Sequence, residues 1–346
     1  MIEVDHNNLN NKIAFYICVV VLIIVIWLIW GSSATRKTVD AESLIVYTNL
    51  EHSSFQEIWT KETYPDHFIT YRPLYLSILK IEYLIFGLSP VVFTSTNVLV
   101  FSGLVILIFS MIYRTTKQII PALLPALFFI TDWRNLKEIY SVPEVQTIMA
   151  GFFGLSALWF LWFGREKRYR LLLIFLFLLA APLCKEYGLA FALAAFISAI
   201  MGRNKDNHWK KVLVVSLSVV VIYVSGRLLL GLVPASTREY SSFLNMMKWM
   251  VANISSGFIF SFIPLFLTKS DGDFPSIENL YYAKDGIWVV VLLQVLPIIV
   301  LFIYGMKEKK YHWISIPLFF LILGNSFLFF FKYAYRFHFN STIGII

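Results

Sequence analysis

The chain has 346 residues, 58% hydrophobic and 17% aromatic, with only 14% charged and a mean hydropathy of +0.72, which is far outside the range of soluble domains. Lipid rather than water is therefore its solvent. A formal charge of +8 would suggest nucleic acid in a soluble protein, but in a membrane protein the position of each cation matters more than the sum, and no nucleic-acid partner is expected.

Crossing a hydrocarbon core takes roughly 17 to 25 apolar residues, and the runs 13–30, 91–113, 212–233 (interrupted by Arg227), 287–304 and 313–331 qualify. They predict an all-α, polytopic transmembrane helical bundle, read as one domain over 1–346. The first run is followed by Gly31-Ser32-Ser33-Ala34, which imitates a signal-peptidase site, but the run is too long for a typical h-region and is read as a retained helix. The loop 31–90 after it alternates aromatic with polar residues, as in Phe55-Gln56-Glu57-Ile58-Trp59, the pattern of amphipathic helices lying along an interface.

Cations cluster in short loops: Arg165, Lys167, Arg168 and Arg170, then Arg203, Lys205, Lys210 and Lys211, then Lys307, Lys309 and Lys310. The positive-inside rule places all three in the cytoplasm. Lys12, before the first run, conflicts with Arg36 and Lys37 after it, and the three loops decide. The chain must leave and return within 171–201, about fifteen residues per leg, fewer than a full span usually needs. The apex then falls near 182–186 and holds Lys185 and Glu186. The same alternation puts 114–117 inside, and 31–90, 131–143 and 234–285 outside, with 258–267 read as a re-entrant or surface helix. Cys18 and Cys184 sit in apolar surroundings and are read as small core residues. No Walker, Rossmann or zinc-ligand pattern occurs, which argues against nucleotide-driven transport.

The outward polar groups fall into four clusters: Asp40 with Glu42, Tyr71-Arg72-Pro73-Leu74, Lys185 with Glu186, and Tyr335-Arg336-Phe337-His338. Brought together at the membrane surface, they would set two carboxylates opposite three cations. That combination suits transfer of a group from a lipid-linked phosphate: Arg72, Lys185 and Arg336 would hold the leaving phosphate, and a carboxylate would act as general base or hold a metal ion. Each cluster also has a plainer reading. Asp40 and Glu42 can be solvated loop residues, Arg72 an interface anchor, Lys185-Glu186 a structural ion pair, and Arg336 with His338 a snorkelling helix end.

Tyr71-Arg72-Pro73-Leu74, then Ile85-Phe86-Gly87-Leu88-Ser89-Pro90, then Asn97 resemble the YRPL, LFGLNP and asparagine series of C-type membrane glycosyltransferases, nearest to the O-mannosyltransferases with tetratricopeptide repeats and their bacterial counterparts. Cys184-Lys185-Glu186 resembles that group's KE motif, and Tyr335-Arg336-Phe337-His338-Phe339 with Ser341, Ile343 and Gly344 its RYLYLPSxG segment. The resemblance implies inverting transfer of a sugar from a polyprenyl-phosphate donor to an acceptor on the non-cytoplasmic face of a multi-pass membrane protein, in the inner or plasma membrane if bacterial. A carboxylate of the first outer loop would be the base. The family's adjacent acids are here Asp40-Ala41-Glu42, so either can hold that place, with spacing to Asn49 favouring Glu42. Pro143-Glu144 loosely matches a second acidic position; Glu144, Glu186, Tyr71 and His338 are assigned supporting roles. A divalent metal is possible, and the acceptor is not specified. The chain ends at Ile346, where relatives continue, so a fragment or a short member is expected. A lipid-linked-sugar flippase and an inactive relative are the rival readings.

Overall fold

The computed structural model describes residues 6–31, 41–60, 71–131, 139, 145–164, 169–202 and 207–230. The expected runs 287–304 and 313–331, the stretch 258–267 and the candidates Asp40, Glu144, Arg336 and His338 lie outside the described residues. Among the described residues every regular element is a helix, and the protein is an all-α bundle. In chain order the α-helices are α1 (His6–Trp30), α2 (Ala41–His52), α3 (Phe55–Thr60), α4 (Pro73–Phe86), α5 (Pro90–Thr116), α6 (Ile119–Thr131), α7 (Val145–Phe163), α8 (Arg170–Cys184), α9 (Leu189–Gly202) and α10 (Asn207–Leu229), with a 3-10 turn at Glu186–Gly188. The chain divides into two compact units, Met1–Gly188 and Leu189–Ile346.

Four stretches are long and apolar enough to cross a membrane: Lys12–Trp30, Pro90–Thr116, Val145–Phe163 and His208–Leu229. Three coincide with runs expected from sequence. The fourth, α7, is not a clean run, because Gln146, Thr147, Gly151, Gly154 and Ser156 dilute it. Gly151 among them lies against α5, its Cβ position 3.7 Å from the Leu104 methyls. A Cβ placed on Gly103 of α5 would stand 2.7 Å from the Phe152 ring, and Trp159 of α7 donates to the Ser110 hydroxyl of α5 at 3.0 Å. In lipid, helices gain little from burying apolar surface, so small residues that permit close van der Waals approach decide which faces meet.

Within the first unit, chain direction follows from end-to-end contacts. Phe15, near the start of α1, stacks on Phe109 and lies 4.9 Å from Tyr113, both near the end of α5. Trp30, at the other end of α1, donates its indole N–H to the Ile130 carbonyl in the last turn of α6 at 3.0 Å. Arg114, in the last turn of α5, donates to the Phe163 carbonyl at 3.3 Å and lies 4.7 Å from the Trp159 ring. Arg170, opening α8, donates to the Phe160 carbonyl at 3.0 Å and to that of Leu161. Two guanidinium groups thus satisfy the carbonyls that end α7, where the helix dipole is negative. One end of the unit therefore gathers the start of α1, the ends of α5 and α7, and the start of α8; the other gathers their opposite termini.

The long segment after α1 contains three helices, α2, α3 and α4. At the end of α4, Gly87 has φ 63 and ψ −154, a conformation essentially closed to residues with a Cβ. Its N–H caps the Tyr83 carbonyl at 2.8 Å, and Pro90 then opens α5 at a position where its missing N–H costs nothing. The 85–90 segment, one of the five pieces of the resemblance, is accordingly a helix joint. Asn97 is likewise architectural: buried, it donates to the Ile139 carbonyl at 2.9 Å and ties α5 to the segment before α7.

In the second unit α9 packs on α10, with Ala190, Ala192, Ala194, Ala195 and Ala199 all buried along α9. Near the end of α10, Arg227 lies 5.9 Å from the Tyr223 ring one turn back, as expected for an arginine whose stem follows apolar surface while its head seeks polar company.

Candidate functional site

Three elements far apart in sequence meet at the end of the first unit opposite Arg114 and Arg170. Arg72 is the residue before α4. The following Pro73 disfavours helical backbone at Arg72, which stands at φ −136, and its guanidinium turns away from the helix it precedes. Nη2 reaches Glu186 Oε2 at 3.1 Å and Nε reaches the same oxygen at 3.4 Å. Nη1 donates to Gln146 Oε1 in the first turn of α7.

Lys185 ends α8 in extended conformation, its N–H bonded to the Ala181 carbonyl at 3.1 Å. Its ammonium donates to the Thr147 hydroxyl, next along α7 from Gln146. The chain then turns tightly through Glu186–Gly188, with Gly188 N–H on the Lys185 carbonyl at 2.8 Å. No side chain fits at Gly188: a Cβ there would stand 2.2 Å from the Ala181 carbonyl carbon and 2.4 Å from Pro182 N. This turn sends Lys185 and Glu186 to different partners. They do not form a self-contained ion pair: Lys185 takes Thr147 and Glu186 takes Arg72.

The cluster is dry at its base. Arg72 is 8%, Lys185 6% and Gln146 4% exposed, whereas the Glu186 side chain is 27% exposed. Buried ionisable groups in such a protein are costly unless they are paired or in use. Two cations face one carboxylate among the described residues, and the first turn of α7 adds the positive end of a helix dipole. Among the described residues the arrangement presents planar and point-like donors together, the combination that suits a phosphate-type anion.

Of the residues expected from sequence, Arg72, Lys185 and Glu186 are brought together. Tyr71 is buried beside them in the chain, but its hydroxyl donates to the Trp59 carbonyl at 3.2 Å, while Trp59 donates to Ser77 at 2.9 Å. Tyr71 thus braces α3 against α4. Glu42 lies in the first turn of α2. Gln146 and Thr147 were not among the sequence candidates. Neither carries charge nor belongs to a recognised motif, and the available signal was two polar residues opening an otherwise apolar run. Among the described residues no three His, Cys, Asp or Glu side chains group as a metal site would require.

No protein-family model, curated protein or solved structure matches this chain.

Proposed function

We propose that the protein transfers a sugar from a polyprenyl-phosphate-linked donor to an acceptor hydroxyl or amine at the non-cytoplasmic membrane surface. The observation that carries this reading is the buried meeting of Arg72, Lys185 and Glu186 on Gln146 and Thr147. Lys185 and Arg72 hold the phosphate, with Arg336 as a third cation, and Glu186 and Gln146 keep the Arg72 fork oriented. Asp40 or Glu42 takes the acceptor's proton. The acceptor atom attacks the anomeric carbon, the carbon–oxygen bond to phosphate breaks on the opposite face, and the electron pair leaves on the phosphate, whose growing charge the cations meet. Inversion at that carbon follows from the single displacement. Preorganised cations in a dry site can lower such a barrier by several kcal/mol, since removal of a single such donor typically costs about 10²–10³ in rate.

The test is sugar transfer from a panel of radiolabelled polyprenyl-phosphate sugars by purified protein, comparing wild type with Asp40→Asn, Glu42→Gln and Lys185→Ala. Arg72 and Glu186 are poorer handles on the cation set, because they pair with one another and truncating either leaves the other's charge without that partner, which destabilises the fold. Transfer is expected in wild type and lost in Lys185→Ala and in one carboxylate variant, with all four proteins folded. Normal turnover in folded Lys185→Ala removes that residue from the mechanism. Donor that binds folded wild type yet is never consumed overturns the transferase reading.

A further inference from the structure

Beside Arg72 and Lys185 the first unit holds a third buried cation, one that the proposed reaction does not use. Lys80 is 8% exposed. Its ammonium donates to the Leu50 carbonyl at 2.5 Å and approaches the Glu51 carbonyl at 3.3 Å, and it lies 5.6 Å from the centroid of the Tyr83 ring. Leu50 and Glu51 belong to the last turn of α2, where carbonyls lack helical partners and the dipole is negative. Burying an ammonium costs several kcal/mol unless it is well coordinated, and an apolar side chain would fill the same space without that cost. What a lysine adds is direction, since its ammonium donates only where carbonyl oxygens are aimed at it and so fixes the helix end that supplies them.

The two helices it joins each carry one half of the proposed chemistry. Arg72 is the residue from which α4 starts, and Lys80 lies two turns along that helix. Glu42 is in the first turn of α2, immediately after Asp40 and Ala41, and Leu50 is eight residues on, about 12 Å along the helix axis. From these placements we infer that Lys80 is a positioning residue: by pinning the end of α2 to α4 it sets the carboxylate-bearing start of α2 at a fixed reach from the phosphate-binding cation. The inference rests on the proposed transferase reading for its consequence, but not for the clamp itself.

The two are tested separately. Spin labels are placed at Leu44→Cys on α2 and Leu99→Cys on α5, both exposed positions, with Cys18→Ser and Cys184→Ala removing the native thiols. The distance distribution between the labels is then measured by pulsed electron resonance with Lys80, Lys80→Met and Lys80→Arg. Steady-state transfer is measured for the same substitutions at residue 80 in the native-cysteine chain. Lys80→Met is expected to broaden the distribution and to lower kcat by about 100-fold, the penalty of misplacing a reacting group by about 1 Å, with donor KM within about 2-fold. Lys80→Arg, which keeps charge and donors, is expected to restore both. An unchanged distribution in Lys80→Met, or a fall in kcat without broadening, overturns the assignment. Should Lys80→Met fail to fold, Lys80→Leu, which likewise has no donor, replaces it, and a distribution equal in Lys80→Leu and Lys80→Arg overturns it equally. Wild-type protein that transfers no sugar sinks the transferase reading, while the distance measurement still decides the clamp.

Discussion

Three buried or half-buried ionisable side chains of the first unit are held in three different ways, and the difference sorts them. Arg72 meets a carboxylate and an amide, Lys80 meets helix-terminal carbonyls, and Glu82 is the least satisfied. One of its oxygens, Oε2, has no hydrogen-bond partner among the described residues. Burial pushes its carboxyl above the ordinary value of 4.5, against the Thr96 hydroxyl, which favours the ionised form. The folded state therefore binds the Glu82 proton more tightly than the unfolded chain does. Its favourable contribution is complete below pH 4.5 and is lost as pH rises through the raised folded value, so at neutral pH the ionised group is a liability. Glu82→Gln is expected to raise the thermal transition in detergent at pH 7.5, with the gain shrinking as the pH falls toward 4.5. A gain that does not change with pH would show that Glu82 stays ionised in the folded protein.

At the scale of elements, the turn after α8 does the most to build the site, and it depends on Gly188. Glu186 and Lys185 reach opposite partners only because the chain folds back over Ala181 and Pro182 with no side chain between. In Gly188→Ala the added methyl meets backbone atoms, which cannot swing aside as a side chain can. Overpacking of this kind costs roughly 1–3 kcal/mol or more. The expected outcome is a lowered thermal transition together with loss of transfer at least as deep as the loss of stability. Gly226→Ala in α10 is the control, since nothing described lies within 4 Å of its Cβ position and alanine is the better helix former by up to about 1 kcal/mol. A Gly188→Ala protein as stable and active as Gly226→Ala would mean that the turn relaxes without consequence. The sequence marked the apex through helix length and its charged pair, and the break does fall at Lys185. It could not show which partner each charge takes, because Gln146 and Thr147 look like impurities in an apolar run until α7 is set beside Arg72. The runs of α1, α5 and α10 were legible because their apolar stretches are long enough to outweigh the polar residues within them, such as Asn97 and Ser102 in α5 and Ser216 and Arg227 in α10. The 85–90 segment entered the sequence reading only through its resemblance to a family pattern, and in the fold it is a joint built on φ > 0 at Gly87.

At the scale of the whole chain, the sequence left one conflict over orientation: Lys12 before the first run against Arg36 and Lys37 after it. The packing of the first unit bears on it. The start of α1 lies with Tyr113, and so Lys12 belongs to the same end as Arg114, Lys117 and Arg170, the end from which the 165–168 cations also emerge in sequence. The opposite end holds Arg72, Lys80 and Lys185, all buried and coordinated, and topogenic force comes from cations in short loops near the span ends. On the positive-inside rule the Lys12–Arg114–Arg170 end is expected in the cytoplasm, and the proposed reaction needs the Arg72–Lys185 cluster at the outer face. Single cysteines in a Cys18→Ser, Cys184→Ala background test it in intact cells with a membrane-impermeant maleimide. Ser54→Cys, in the exposed joint between α2 and α3, is expected to label directly. Gln118→Cys, exposed between α5 and α6, is expected to label only after permeabilisation. The reverse pattern would place the cation cluster in the cytoplasm and remove the outer-face donor from the proposed reaction. Labelling of both in intact cells would mean that the first unit inserts in two orientations, and then Arg36 and Lys37 compete on equal terms with the basic end.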